Sequence, residues 1–296
     1  MFISLVLLLL LSCNSDDHEI VPEPIENLTS TIEYNQINDV APNFLSLDVY
    51  YTSDLTNKKP IIVYVHGGGW SIGDKTNQLD NKIDLFKSLN YILVSVNYRL
   101  SPFPFDVSNP NRIKYPLHNI DIADALNWVY NNIDQYGGNK NKIALMGHSA
   151  GAHLVALTGT NKHFLEEVGL SLNTIKGVAV IDTKGYDIIE QVTNGTNQEM
   201  YMNAFGIEVD QNRDASPIFN VENSGSYPKF FIAKRGSSQR IEYADEFINT
   251  LQINGVSVSQ VNGSIYDHAG INNAIGEANE TLITDSLKQF LTDCFE

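Results

Sequence analysis

Short apolar runs alternate with segments of helical spacing along most of the chain. "LSLDVYY" (residues 45–51) alternates apolar and polar positions and predicts an early strand. "PIIVYVHGGGW" (60–70) is an apolar run ending in glycines, so it reads as a buried strand entering a tight loop. "YILVSVNYRL" (91–100) is a second buried strand. In "YPLHNIDIADALNWVYNNI" (115–133), Ile122, Ala125, Leu126 and Val129 fall on one helical face. "KIALMG" (142–147) predicts a strand and "SAGAHLVALTG" (149–159) a helix. "TIKGVAVID" (174–182) and "YPKFFIAKRG" (227–236) predict two more strands. The helix "IEYADEFINTLQING", the strand "VSVSQVNG" and the helix "NETLITDSLKQFL" complete the pattern. This alternation predicts an α/β fold, with a mostly parallel central sheet and helices on both faces. Ligands of such sheets bind beyond the carboxyl ends of the strands. Residues 185–219 are polar and too long for an ordinary connection, so they read as a small cover segment with short helices of its own.

The N-terminus falls outside this pattern. "MFISLVLLLLLSC" is too short for a comfortable membrane span and reads as a signal-peptide core over residues 1–13. Its end resembles the lipobox of bacterial lipoproteins, which implies acylation of Cys13 and export to a membrane-anchored site at the periplasm or cell surface. Residues 14–30 are polar and acidic and read as a tether, leaving 31–296 as the folded domain. The chain has 296 residues, 43% of them hydrophobic, enough for a sizeable core. A formal charge of −16 argues against nucleic acid as a partner. With Cys13 acylated, Cys294 has no disulfide partner, and the pair cannot build a metal site.

Two stretches carry chemistry by pattern. Gly147-His148-Ser149-Ala150-Gly151 fits Gly-x-Ser-x-Gly between a strand and a helix. That turn lifts a serine out of the sheet and aims the amide of the next residue, Ala150, at whatever the serine attacks. His66-Gly67-Gly68-Gly69-Trp70 ends another strand. Consecutive glycines bare their amides, and acyl transfer needs such donors for its oxyanion. Gly68, Gly69 and Ala150 are the expected donors, and His66 is expected to hold the loop by hydrogen bonds.

"HGGGW", "VNYRLSP" and "KYPLHNIDIADALNWVYNNIDQYGGNKNKIALMGHSAGAHL" resemble the α/β-hydrolase esterases in order along the chain. The likeness is nearest to the HGGG-type esterase, lipase and arylformamidase branch and to bacterial feruloyl and acetyl esterases. It implies an α/β-hydrolase fold, a Ser149 nucleophile, and a histidine in the loop after the last strand. His268, in "SIYDHAGINNAIG", occupies that loop and is the expected base. It also implies that Arg99 and Asp121 belong to the scaffold. The family's acid usually lies in a Gly-x-x-Asp segment after the seventh strand. Here that position is Gln239. Asp182, ending an earlier strand, is the expected replacement. Glu242 and Asp187 are alternatives, and Asp267 is too close to His268 in sequence to reach its far side.

The resemblance implies a serine hydrolase of carboxylic esters that uses no cofactor and no metal. Small-molecule or carbohydrate esters bearing acetyl or feruloyl groups are the expected substrates, with the membrane met only through the lipid anchor. An arylformamidase-like amide hydrolase and a catalytically inactive binding protein are the alternatives, the second motivated by Gln239.

Overall fold

The computed structural model describes residues 24–223 and 225–296. The leader, Cys13 and most of the tether lie outside the described residues. Eight strands form one sheet: Asn27–Glu33 (β1), Ser46–Thr52 (β2), Lys59–Val65 (β3), Ile92–Val96 (β4), Gly138–His148 (β5), Ile175–Ile181 (β6), Lys229–Lys234 (β7) and Val258–Asn262 (β8). Their order is β1-β2-β4-β3-β5-β6-β7-β8. β2 runs antiparallel to both β1 and β4, and the remaining neighbours are parallel. The helices are Asp80–Ser88 (α1), Leu117–Asn132 (α2), Ala150–Thr160 (α3), His163–Glu167 (α4), Ile188–Thr193 (α5), Gln198–Phe205 (α6), Val209–Asp214 (α7), Ser238–Ile253 (α8), Gly270–Asn273 (α9) and Thr284–Phe295 (α10).

The apolar runs of the inner strands are continuous because both faces of the sheet are covered. Side chains alternate between two cores with the period of a strand. Ile61, Val63 and Val65 of β3, with Ile143 and Leu145 of β5, join α2, α3 and α8 on one face. Ile62, Tyr64, Ala144 and Met146 join α1 and α10 on the other. Cys294 belongs to the edge of that second core, where burial pushes its thiol up to about 12.

β1 corrects the domain boundary. It begins at Asn27, inside the stretch 14–30 read as tether. "NLTSTIE" has no apolar run, but an edge strand needs none. Its backbone pairs with β2 from Asn27↔Thr52 to Glu33↔Ser46, and its residues alternate between exposed and half-buried. α1 is a second element without a clear pattern in the sequence. It buries Leu85 and Phe86 as apolar groups in the core, with Ile83 packed half-buried against it.

Arg99 and Asp121 form the expected scaffold pair. The guanidinium donates to both carboxylate oxygens at 2.6–3.0 Å, and the Arg99 amide adds a bond of 2.8 Å. The cover segment is also firmly held. Arg112, from the loop before α2, donates to the carbonyls of Met202 and Asn203 on α6. Tyr115 donates to Asp214 of α7 at 2.6 Å. Asn203 reaches back to Ser71 and Pro102. α6 and α7 are therefore held in place above the strand ends.

Candidate active site

Ser149 sits between β5 and α3 with φ 56° and ψ −115°, a backbone conformation that costs energy for any residue but glycine. The turn closes only because the residues that flank it, Gly147 and Gly151, lack side chains. A Cβ on Gly151 would lie 2.1 Å from the carbonyl oxygen of Val65. The Ser149 amide bonds to the Ile181 carbonyl at 3.0 Å, which ties the turn to β6. The hydroxyl thereby stands at the N-terminus of α3, above the strand ends.

β6 ends one residue before Asp182, which also has a positive φ, 50°. Its amide bonds to Ala233 of β7 at 2.9 Å. Its carboxylate lies 2.6 Å from His268 Nδ1, and His268 Nε2 lies 2.8 Å from Ser149 Oγ. A carboxylate accepts only, so Nδ1 carries the ring proton and Nε2 accepts from the serine hydroxyl. The structure thus brings Ser149, His268 and Asp182 into one hydrogen-bonded line.

The other carboxylates considered do not join it. Glu242 is exposed on α8 and lines a separate surface groove. Asp187 caps α5 by accepting from the Glu190 amide, and Asp267 accepts from the Gly270 amide at 2.6 Å. Gln239 is exposed.

Asp182 is almost fully buried and has two cationic partners that the sequence reading did not single out. Arg240 Nε donates to its Oδ1 at 2.6 Å, and Arg235 Nε lies 3.1 Å from Oδ2. Burial pushes the carboxyl up. The His268 hydrogen bond and the Arg240 charge outweigh that push and hold it below the ordinary carboxylate value. The signal for these partners was the pair of arginines in "KRGSSQR", at the same sheet edge as Asp182. His148, Asp182 and His268 place potential metal-ligand atoms within 4.8 Å of one another. Two guanidinium groups on the shared carboxylate make that cluster a poor cation site.

The glycine loop faces the serine. Gly68 has φ 115°, and a Cβ there would lie 1.9 Å from the Ile72 carbonyl oxygen, so only glycine fits. The Gly68 carbonyl accepts the amides of Ser71 and Ile72, which curls the loop. Among the described residues the amides of Gly68, Gly69 and Ala150 have no acceptor within the protein. All three residues line the same cavity as Ser149, of about 730 Å³. His66 holds the loop as expected: Nδ1 donates to the Gly67 carbonyl at 2.7 Å, and its ring stacks on Tyr98.

Four imidazoles around the site are buried and neutral. His66, His118 and His153 each make one hydrogen bond and leave the second ring nitrogen without a partner. His148 donates from Nε2 to the His268 carbonyl at 2.8 Å, so it positions the His268 loop. Burial lowers all four: His118 and His148 to about 3, His153 to about 4, and His66 in the same direction. Unfolding frees them to take protons near pH 6.5. The unfolded state therefore binds more protons between about pH 6.5 and pH 4. Stability is complete above that window and falls as pH falls through it, by about 2 kcal/mol per deeply shifted imidazole at pH 5. Urea midpoints measured from pH 7.5 to 5 should drop steadily, in a range where ordinary carboxylates stay ionised. A midpoint that does not change over that range contradicts this account.

The BD-FAE family model matches residues 47–246. The chain belongs to the BD-FAE family. Its α/β-hydrolase fold is shared with solved esterases. Esterase B from Lactobacillus rhamnosis, inhibited by a tributyrin phosphonate, superposes with a TM-score of 0.72 at 20% identity, covering 94% of this chain and 88% of that one. A truncated carbohydrate esterase from gut microbiota gives 0.68 at 15% identity, over 90% and 96% of the two chains. In sequence, this BD-FAE chain is similar to two Mycobacterium tuberculosis proteins. The probable carboxylic ester hydrolase LipM is 28% identical over 82% of this chain and 56% of its own length. Esterase LipQ is 33% identical over 63% of this chain and 44% of its own. The chain thus spans about half the length of these relatives.

Proposed function

We propose that the protein is a serine esterase that works through an acyl-enzyme. The carrying observation is the line from Ser149 Oγ through His268 to Asp182, at 2.8 and 2.6 Å. Ser149 Oγ bonds to the acyl carbon while its proton passes to His268 Nε2. The carbonyl oxygen becomes an oxyanion and takes hydrogen bonds from the unpaired amides of Gly68, Gly69 and Ala150. The C–O bond to the alcohol then breaks, and the alcohol leaves with the proton from His268. Water repeats the sequence and releases the acid. Asp182 keeps the imidazole in the required tautomer and balances its transient charge.

BD-FAE membership and the activities named for LipM and LipQ support ester hydrolysis. The size and lining of the cavity support an acetyl or feruloyl ester of a carbohydrate as the substrate. The volume of about 730 Å³ admits a sugar-sized alcohol, and Asn77, Gln78 and Asn197 offer polar contacts to hydroxyl groups. An inert binding domain has no need of an ordered serine, histidine and carboxylate. Purified protein should be labelled stoichiometrically by a fluorophosphonate and should cleave 4-nitrophenyl acetate with matching loss of activity on labelling. No label and no turnover would reject the esterase reading.

A further inference from the structure

The cavity beside Ser149 has a charge that the rest of the chain does not predict. The sequence carries 35 acidic and 19 basic residues. Yet Lys184, Arg235 and Arg240 all line this cavity, and no aspartate or glutamate is among its described lining residues. Among the described residues the carboxylate paired with the two arginines is Asp182, already shared with His268. Arg240 spends Nε and Nη2 on the carboxylate and carbonyl of Asp182. Arg235 reaches the same carboxylate at 3.1 Å, but the angle is wrong for a hydrogen bond and its Nε has no partner. Lys184 donates to the Thr196 hydroxyl at 2.9 Å and takes part in no ion pair within 4 Å among the described residues. Burial and the neighbouring Arg240 both pull its ammonium below the ordinary value, and Asp182 offsets them only in part.

Arg235 and Arg240 thus share one carboxylate while Lys184 stands beside them without an ion-pair partner among the described residues, leaving uncompensated positive charge within the substrate cavity. Structural balance of Asp182 needs one guanidinium, not two with a lysine beside them. Unpaired cations in a concave, partly dry site attract an anion and raise its local concentration. Resting on the esterase reading above, we infer that the preferred substrates are esters carrying a carboxylate on one of their two arms, held by Lys184 and Arg235. Such a carboxylate replaces the missing counter-charge and orients the ester bond over Ser149. Arg235 Nε is buried against Asp182, but its terminal nitrogens make no hydrogen bond among the described residues and present a planar fork at the cavity wall that suits a carboxylate, and Lys184 supplies a point charge beside it.

Two matched pairs of esters test this. Mono(4-nitrophenyl) adipate against its methyl ester carries the charge on the acyl arm. 4-Acetoxybenzoate against methyl 4-acetoxybenzoate carries it on the alcohol arm. In at least one pair the anionic member should have the higher kcat/KM by about tenfold or more. The arm that shows it locates the carboxylate. That ratio should shrink in 0.5 M NaCl, as screening predicts. Lys184→Met should lower the ratio several-fold, and Lys184→Arg should keep most of it. Neutral esters cleaved as fast as anionic ones in both pairs would overturn the inference while leaving the esterase standing. So would a preference indifferent to Lys184→Met and to salt. Failure to cleave all four esters or take a fluorophosphonate would overturn both readings together.

Discussion

Ser149→Ala should lose about 10⁶-fold in kcat for ester hydrolysis, the scale on which a triad nucleophile acts. Alanine keeps the serine Cβ, so the strained turn at φ 56° meets no new atom. The fold should survive with a stability change within about 1 kcal/mol, since one half-exposed hydroxyl bond to His268 is lost. The variant should also fail to take a fluorophosphonate while giving an unchanged circular dichroism spectrum. Activity within a hundredfold of the parent would remove Ser149 from the mechanism. Unfolded protein would mean that the elbow depends on the hydroxyl, which the geometry denies.

Asp182→Asn should be the second-largest loss, about 10⁴-fold in kcat. The amide can present its nitrogen to His268 Nδ1, which then favours the wrong tautomer, and it supplies no charge for the imidazolium. A further cost is structural. Arg235 and Arg240 lose their counter-ion in a nearly buried place. Removing one member of such a pair costs about 3–5 kcal/mol in full burial, and less here because both guanidinium groups keep some contact with water. Turnover should therefore be measured on protein shown to be folded. Glu242→Gln, on the exposed face of α8, should leave turnover unchanged. Activity of Asp182→Asn within tenfold of the parent would leave a serine–histidine pair acting alone and would overturn the assignment of the carboxylate.

The two variants differ in how far their sites were legible beforehand. Ser149 is announced by its own neighbours. A serine between glycines, at the point where a strand becomes a helix, leaves few other uses for the pattern. The same holds for the glycine loop, where a Cβ on Gly68 would strike the Ile72 carbonyl and Gly69 also has a positive φ. His268 needed the resemblance as well, because nothing within "YDHAG" sets it apart from other histidines. Asp182 was one carboxylate among several. Its place at the end of a strand favoured it over Glu242 and Asp187, and Asp267 was set aside as adjacent to His268, but only the hydrogen bonds separate the candidates.

The strand and helix pattern was likewise legible wherever both faces of an element are buried, because burial demands apolar residues at fixed periods. β1 and α1 escaped that reading. β1 holds its place by ladder bonds to β2, which any backbone can make. What the chain alone determined was therefore local: the elbow, the glycine loop and the apolar strands, each dictated by the conformation or burial of its own residues. What only the tertiary structure decided was convergence. Ser149, Asp182 and His268 come from three different strand ends, and Arg235 and Arg240 from a fourth segment. Their meeting depends on strand order and register, and these follow from the packing of the whole sheet rather than from any short stretch of sequence.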